Sequence, residues 1–201
     1  MMKLCPLCKK LHRSDDSLNN LFNDVFVLCY NCFSTFKVIF KRFKIDDCMG
    51  LAIYDYQSIK DHLFRLKGLY DISIAPIFLE RFIFYLNILY EGYLIVRVPS
   101  SLQDDLKRGF NHVDKIFENL KSKRKNFFYK NRHYKQSDQP YENRHLIKDV
   151  IKVDKGIKTQ GKILLIDDVL TTGQTMKTCL NLAKKLGAKK IKILVLSMVC
   201  R

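Results

Sequence analysis

The stretch Ile163-Leu-Leu-Ile-Asp-Asp-Val-Leu-Thr-Thr-Gly-Gln-Thr175 decides the fold. Its four leading apolar residues form an unbroken run, the pattern of a strand buried on both faces in a helix-covered parallel sheet. Asp167 and Asp168 follow at the carboxyl end of that strand, where open α/β sheets bind ligands. Thr171-Thr172-Gly173 then turns the chain so that backbone N–H groups and hydroxyls meet at the start of the next helix, a cradle for a phosphate monoester. Adjacent carboxylates would repel the phosphate itself, but they accept hydrogen bonds from two ribose hydroxyls. Asp167, Asp168, Thr171, Thr172, Gly173 and Thr175 are therefore the candidate phosphoribosyl-binding set, and the ligand that they ask for is a ribose 5-phosphate.

Strand and helix signals alternate on both sides of this motif. Leu51–Tyr56 reads as a strand, and Ser58 caps a helix through Leu66 that carries Ile59, Leu63 and Leu66 at helical spacing. Ala75–Leu89 is apolar enough for a buried helix, and Tyr93–Val98 reads as a strand. Phe110–Leu120 has helical periodicity, Gln174–Leu186 is a helix stopped by Gly187, and Ile191–Met198 is a last strand. Such alternation predicts an α/β fold with a parallel sheet flanked by helices. No internal repeat is present.

Before residue 47 the pattern differs. Cys5-Pro-Leu-Cys8 and Cys29-Tyr-Asn-Cys32 are two C-x-x-C turns separated by twenty residues, a spacing that suits a zinc ribbon. Each turn sets two thiolates about 2.3 Å from a shared tetrahedral ion, and two turns close the site, so the zinc would be structural. Cys48, Cys179 and Cys200 lack partners at ligand spacing and read as buried thiols. The basic run Lys37–Lys44 leads to Asp46-Asp47, which divides a ribbon module at 1–46 from the α/β domain at 47–201. No segment reads as an export signal or a membrane span, so the expected protein is soluble and cytoplasmic.

The 201 residues carry 36 Lys and Arg against 20 Asp and Glu, a formal net charge of +16. That surplus argues against cationic or basic partners and for phosphate in nucleic acid, small molecules or an anionic membrane. It is densest in Lys121–Lys135, KSKRKNFFYKNRHYK, where cations alternate with aromatic rings and no acid intervenes. Lys123, Arg124, Lys125, Phe128, Tyr129 and Tyr134 could stack bases and neutralise phosphates of single-stranded DNA. The alternative reading is a buried Phe127–Tyr129 strand rimmed by solvated lysines. Lys107, Arg108, Arg132, Lys135 and Arg144 are candidates for holding pyrophosphate or a DNA backbone. No histidine stands near a nucleophile or at ligand spacing with another histidine.

The contiguous LLIDDVLTTGQT run resembles the phosphoribosyl-pyrophosphate motif of type I phosphoribosyltransferases. Tyr54-Asp55-Tyr56, Leu66-Lys67-Gly68, Arg97-Val98-Pro99, Lys107-Arg108-Gly109-Phe110-Asn111, and Arg132, Gln139 and Arg144 resemble the blocks of the ComF family. With the four cysteines, the resemblance spans nearly the whole chain. Arg97 stands where the family usually has Pro, His112 where Gln is frequent, and Ser137 in place of Thr. The resemblance implies a type I phosphoribosyltransferase-like domain behind a zinc ribbon and a part in DNA uptake during natural transformation. Its implied partners are single-stranded DNA, phosphoribosyl pyrophosphate or a related sugar phosphate, and the DNA-translocation machinery at the inner membrane. Two roles stay open for the same pocket. One is to bind and handle incoming DNA in the cytoplasm. The other is Mg-dependent transfer from phosphoribosyl pyrophosphate to an acceptor that the sequence does not name.

Overall fold

The computed structural model describes residues 2–13, 27–130, 151–154, 156–157, 159 and 161–200. Its centre is a five-stranded sheet of order β3-β4-β9-β8-β5, formed by Val38–Ile45, Cys48–Asp55, Lys190–Met198, Lys162–Leu170 and Leu94–Arg97. Three of the four pairings are parallel; the hairpin β3-β4 is antiparallel at one edge. The motif strand β8 lies between β9 and β5 and runs on through the acidic pair to Leu170, pairing Asp167 with Val195 and Val169 with Ser197.

The pleat sorts β8 onto two apolar layers, because successive side chains point to opposite faces. Leu164 and Ile166 join Ile53, Leu194 and Leu196 against α2 (Tyr56–Gly68), the 3-10 helix Ile72–Phe78, α3 (Ile83–Leu89) and α5 (His112–Ile116). Ile163 and Leu165 join Ile193 and Val195 against α6 (Gln174–Lys185), with Phe127, Phe128 and Ile151. The last three belong to or flank a small antiparallel ribbon, β6 (Phe128–Lys130) with β7 (Ile151–Val153).

Local boundaries differ from the sequence reading for physical reasons. Asp55, not Ser58, caps α2 by accepting the Gln57 N–H at 3.0 Å; the Ser58 hydroxyl is spent on the Asp55 carbonyl. The apolar run 75–89 is not one helix. It divides into the 3-10 helix that contains Pro76 and α3, with a 66° bend between them. The run 110–120 supports only the short α5, capped by Asn111, which accepts the Asp114 N–H. No single helix among the described residues is long and apolar enough to cross a membrane.

The four-cysteine module is a hairpin, β1 (Met2–Leu4) with β2 (Leu11–Arg13), followed by the single-turn helix α1 (Tyr30–Phe33). Asp46-Asp47, where the sequence suggested a boundary, is the turn of the β3-β4 hairpin, so residues 38–45 are part of the main sheet. The module itself is sewn to the body. Leu28 is fully buried in the apolar layer of α2 and α3, and Glu80 accepts the Val27 and Leu28 N–H groups at 2.7 and 2.9 Å. The Arg81 guanidinium stands 4.5 Å over the Phe33 ring and donates to the Leu28 carbonyl. Glu80→Ala leaves two N–H groups without their acceptor, which costs about 1–3 kcal/mol per buried group. Its urea-unfolding midpoint is expected to fall accordingly, with the steepness of the transition unchanged.

Candidate functional site

The carboxyl ends of β5 and β8 and the first turn of α6 frame the site. Gly173 precedes α6 with φ +72°, a left-handed conformation that side chains other than glycine resist, and no side chain caps the helix. Thr171 and Thr172 are exposed ahead of it, and Thr175 sits in the first turn. This leaves the amino end of α6 accessible to an anion.

The two aspartates are not equivalent. Asp168 shares the face of Leu164 and Ile166, where it is 6 % exposed and ion-paired with Lys67, the penultimate residue of α2. His112 Nε2, from α5, lies 3.5 Å from its other carboxylate oxygen. Arg108 Nη1 is 3.0 Å from His112 Nδ1, so Nδ1 is the acceptor and the imidazole proton resides on Nε2, toward Asp168. Arg108, at the end of α4 (Leu102–Arg108), also donates to Asp105 and to the Lys67 carbonyl. Asp105 in turn accepts from Ser100 and Asn111 at 2.5 and 2.7 Å. Ser197, fully buried on β9, donates to the Asp168 carbonyl at 3.1 Å. Asp167 points to the opposite, α6 face, where one oxygen accepts the Asp168 N–H at 2.9 Å.

Burial dominates the site's acid–base behaviour. It pushes Asp167 from 3.8 up to about 7, against the opposing pull of Lys67 and Lys130. It brings Lys67 down to about 8, which leaves the ammonium charged at neutral pH. His112 is driven to about 2 by burial and by Lys67, Arg108 and Arg97, so it is neutral.

The other sequence candidates separate. Lys107 is exposed on α4, whereas Arg108 is consumed by the internal network. Lys123 and Lys125 are exposed and Tyr129 is 44 % exposed. Phe128 is a correction to the stacking set: it is buried, edge-to-face with Phe127 at 4.7 Å, and offers no open ring. Arg124 is a second correction, because its guanidinium donates to the carbonyls of Phe117 and Leu120, which follow α5. Arg132, Tyr134, Lys135, Ser137, Gln139 and Arg144 lie outside the described residues. Beside the site, a cleft of about 510 Å³ is lined by Arg97, Ser100, Asp105, Tyr129 and Lys130.

Lys67 and His112 were not singled out as site residues from sequence. Lys67 stands inside a block that carried the family resemblance and His112 is a departure from that pattern, but their approach to Asp168 joins positions 101 and 56 residues away, which no local pattern encodes.

At the other pole, Cys5, Cys8, Cys29 and Cys32 bring all four sulfurs within 4.8 Å of one another, with Cys8 and Cys29 at 3.8 Å. A tetrahedral ion with metal–sulfur bonds of about 2.3 Å separates its sulfurs by about 3.8 Å, so the set fits a tetrathiolate metal. Burial would raise the Cys5 thiol, yet N–H groups of Cys8, Cys29 and Leu7 and the Cys29 thiol bring it down to about 6.

Residues 106–198 match the family model described as the phosphoribosyl transferase domain. Over 94 % of its length the chain is 29 % identical to the Competence protein ComFC of Streptococcus pneumoniae, covering 96 % of that protein. The chain thus resembles the ComF family along nearly its whole length. An adenine phosphoribosyltransferase of Mycoplasmopsis pulmonis is 48 % identical over 50 residues, 24 % of this chain and 29 % of that enzyme. Among solved structures, a purine phosphoribosyltransferase of Pyrococcus horikoshii aligns at 25 % identity and TM-score 0.37, covering 60 % of this chain and 72 % of the other. A hypoxanthine phosphoribosyltransferase of Staphylococcus aureus aligns at 13 % identity and TM-score 0.39, covering 62 % of each.

The opposed shifts of Asp167 and His112 give the site a pH signature. Folded Asp167 holds its proton to about 7 while the unfolded chain releases it near 3.8, so this contribution declines as pH rises through that window. Folded His112 refuses a proton that the unfolded chain takes up below 6.5, so its contribution declines as pH falls. Relative to the parent, Asp167→Asn should gain stability with rising pH between 3.8 and 6.5, and His112→Gln should lose it; urea midpoints across that range measure both.

Proposed function

We propose that this protein acts as a ComF-like factor that binds and handles incoming single-stranded DNA during natural transformation, with its transferase-like pocket as a sugar-phosphate site. The observation that carries this is the open first turn of α6 beside Asp167 on β8, within a chain that is similar to a competence protein over nearly all its length. Thr171, Thr172, Gly173 and Thr175 would take the phosphate, and Asp167 the ribose hydroxyls. Asp168, held by Lys67 and His112, orients the strand end and sets the local charge. Lys107, with Arg132, Lys135 and Arg144, supplies cations for pyrophosphate or DNA backbone. The DNA-translocation machinery at the inner membrane is the proposed protein partner, in the cytoplasm.

The four thiolates are proposed to hold structural zinc. The expected measurement is one zinc per chain by atomic absorption. Stripping it with a strong chelator should lower the melting temperature by several degrees, reversed by added zinc, since Leu28 ties the module to the main core.

A second reading is favoured by the transferase family match over residues 106–198: transfer from phosphoribosyl pyrophosphate to an unidentified acceptor. Mg²⁺ bound with that ligand would neutralise pyrophosphate charge, with Asp167 nearby to hold the ribose. Calorimetry with Mg·phosphoribosyl pyrophosphate separates the possibilities. Binding by the parent and at least tenfold weaker binding by Asp167→Asn or Gly173→Val is expected; equal affinity overturns the pocket. Pyrophosphate release upon adding nucleophiles would establish the enzyme reading, and competition by oligothymidylate would place DNA in the pocket.

A further inference from the structure

At the end of the sheet away from the acidic pair, strand register lines up a row of cations. Lys162 and Lys190 pair directly at the starts of β8 and β9, and Lys192 lies opposite Leu164. Arg42 of β3 lies on the same face but further along it, opposite Leu51 and in register with Leu194 and Ile166. Residues two apart share a face, and Leu51, Leu164 and Leu194 belong to one apolar layer, so these four cations project from the same side. Beyond β5 the segment at Lys123 extends the sheet, its carbonyl accepting the Ile95 N–H at 2.8 Å.

Lys121, Lys123 and Lys162 line a cleft of about 1210 Å³ with Tyr93 and Phe84, the latter 51 % exposed. The lysine-bearing wall is braced: the Lys121 N–H donates to Asn87 at 2.8 Å and the Ser122 hydroxyl to the Tyr90 carbonyl at 3.0 Å. Lys192 stands 5.6 and 5.5 Å over the Tyr90 and Tyr93 rings. Of the carboxylates on this cleft, Glu80 is committed to Val27 and Leu28, and Glu91 is exposed at the rim. The salt bridges among the described residues involve none of these six cations, whereas Lys67, Arg97, Arg108, Lys177 and Lys184 all have acidic partners. Lys190, Lys162 and Arg42, after burial, also make the Lys192 charge harder to hold. Uncompensated cations crowded along a line are relieved by a linear polyanion.

We propose that this row is a track for the phosphate backbone of single-stranded DNA, at the opposite end of the sheet from the sugar-phosphate pocket. The proposal rests on the DNA-handling reading above and assigns it a surface. The cleft favours nucleic acid over an anionic membrane. A flexible strand can enter it and lay bases against Phe84, in the pairing of stacking ring and cation that single-strand binders use.

The test is fluorescence anisotropy of labelled oligothymidylate with the full-length protein over a salt series. The variant is Lys121→Gln/Lys162→Gln/Lys190→Gln, all exposed positions. Its control of equal charge is Lys60→Gln/Lys152→Gln/Lys185→Gln, also exposed. The track variant should bind at least tenfold more weakly, with its log–log salt slope reduced by about 0.7 per lost contact. It should keep the parental melting temperature and Mg·phosphoribosyl pyrophosphate affinity; the control should bind DNA as the parent does. Parent binding that the track variant retains, or that the control loses equally, overturns the track and leaves the DNA reading standing. Absence of parent binding overturns the DNA reading itself. Track-dependent capture by phosphatidylglycerol vesicles without oligonucleotide binding overturns the proposal in favour of a membrane surface.

Discussion

Everything in this molecule is organised around a strand that must be dry on both sides. Ile163, Leu164, Leu165 and Ile166 are all fully buried, so each face of β8 requires its own covering layer. One layer recruits α2, the 3-10 helix, α3 and α5; the other recruits α6 and the short ribbon. The same pleat that enforces two layers sends consecutive aspartates into different surroundings. Asp168 falls among cations and a neutral imidazole, while Asp167 stays beside the amino end of α6 as a carboxyl that burial has made reluctant to ionise.

That asymmetry changes what an acidic pair means. A sugar-phosphate pocket with two free negative charges would oppose its own ligand. Here Lys67 cancels one of them from a helix that packs on the far side of the fold, and Arg108 and Asp105 extend the compensation toward β5. The charge that a ligand meets is therefore set by α2, α4 and α5 as much as by the motif that names the site.

The parts readable from sequence are those in which one local signal suffices. The apolar run and Thr-Thr-Gly located β8 and the turn into α6, and two C-x-x-C turns located a cluster whose sulfurs do converge. Parallel pairing was legible from strand–helix alternation, but the antiparallel edge β3 was not, because Lys37–Lys44 reads as a charged linker when its partner strand is unknown. Phe128 and Arg124 were misread for a related reason. Composition cannot tell a ring or guanidinium facing solvent from one turned onto a core or a helix end. The contacts of Lys67 and His112 with Asp168 depend on how distant helices dock, which is information held by the packing as a whole.

The hairpin that joins β3 to β4 has a bearing on how the chain can be divided. β4 is buried along nearly its whole length, and β3 alone covers its outer backbone edge, presenting Lys41, Arg42 and Lys44 to solvent. A truncation that began at residue 47 would strip away that charged guard and Leu28 together. The result would be a naked, apolar strand edge beside an opened hollow, a template on which copies add to one another. The amino-terminal quarter thus acts as an anti-aggregation cover for the transferase-like sheet, whatever else its metal site contributes.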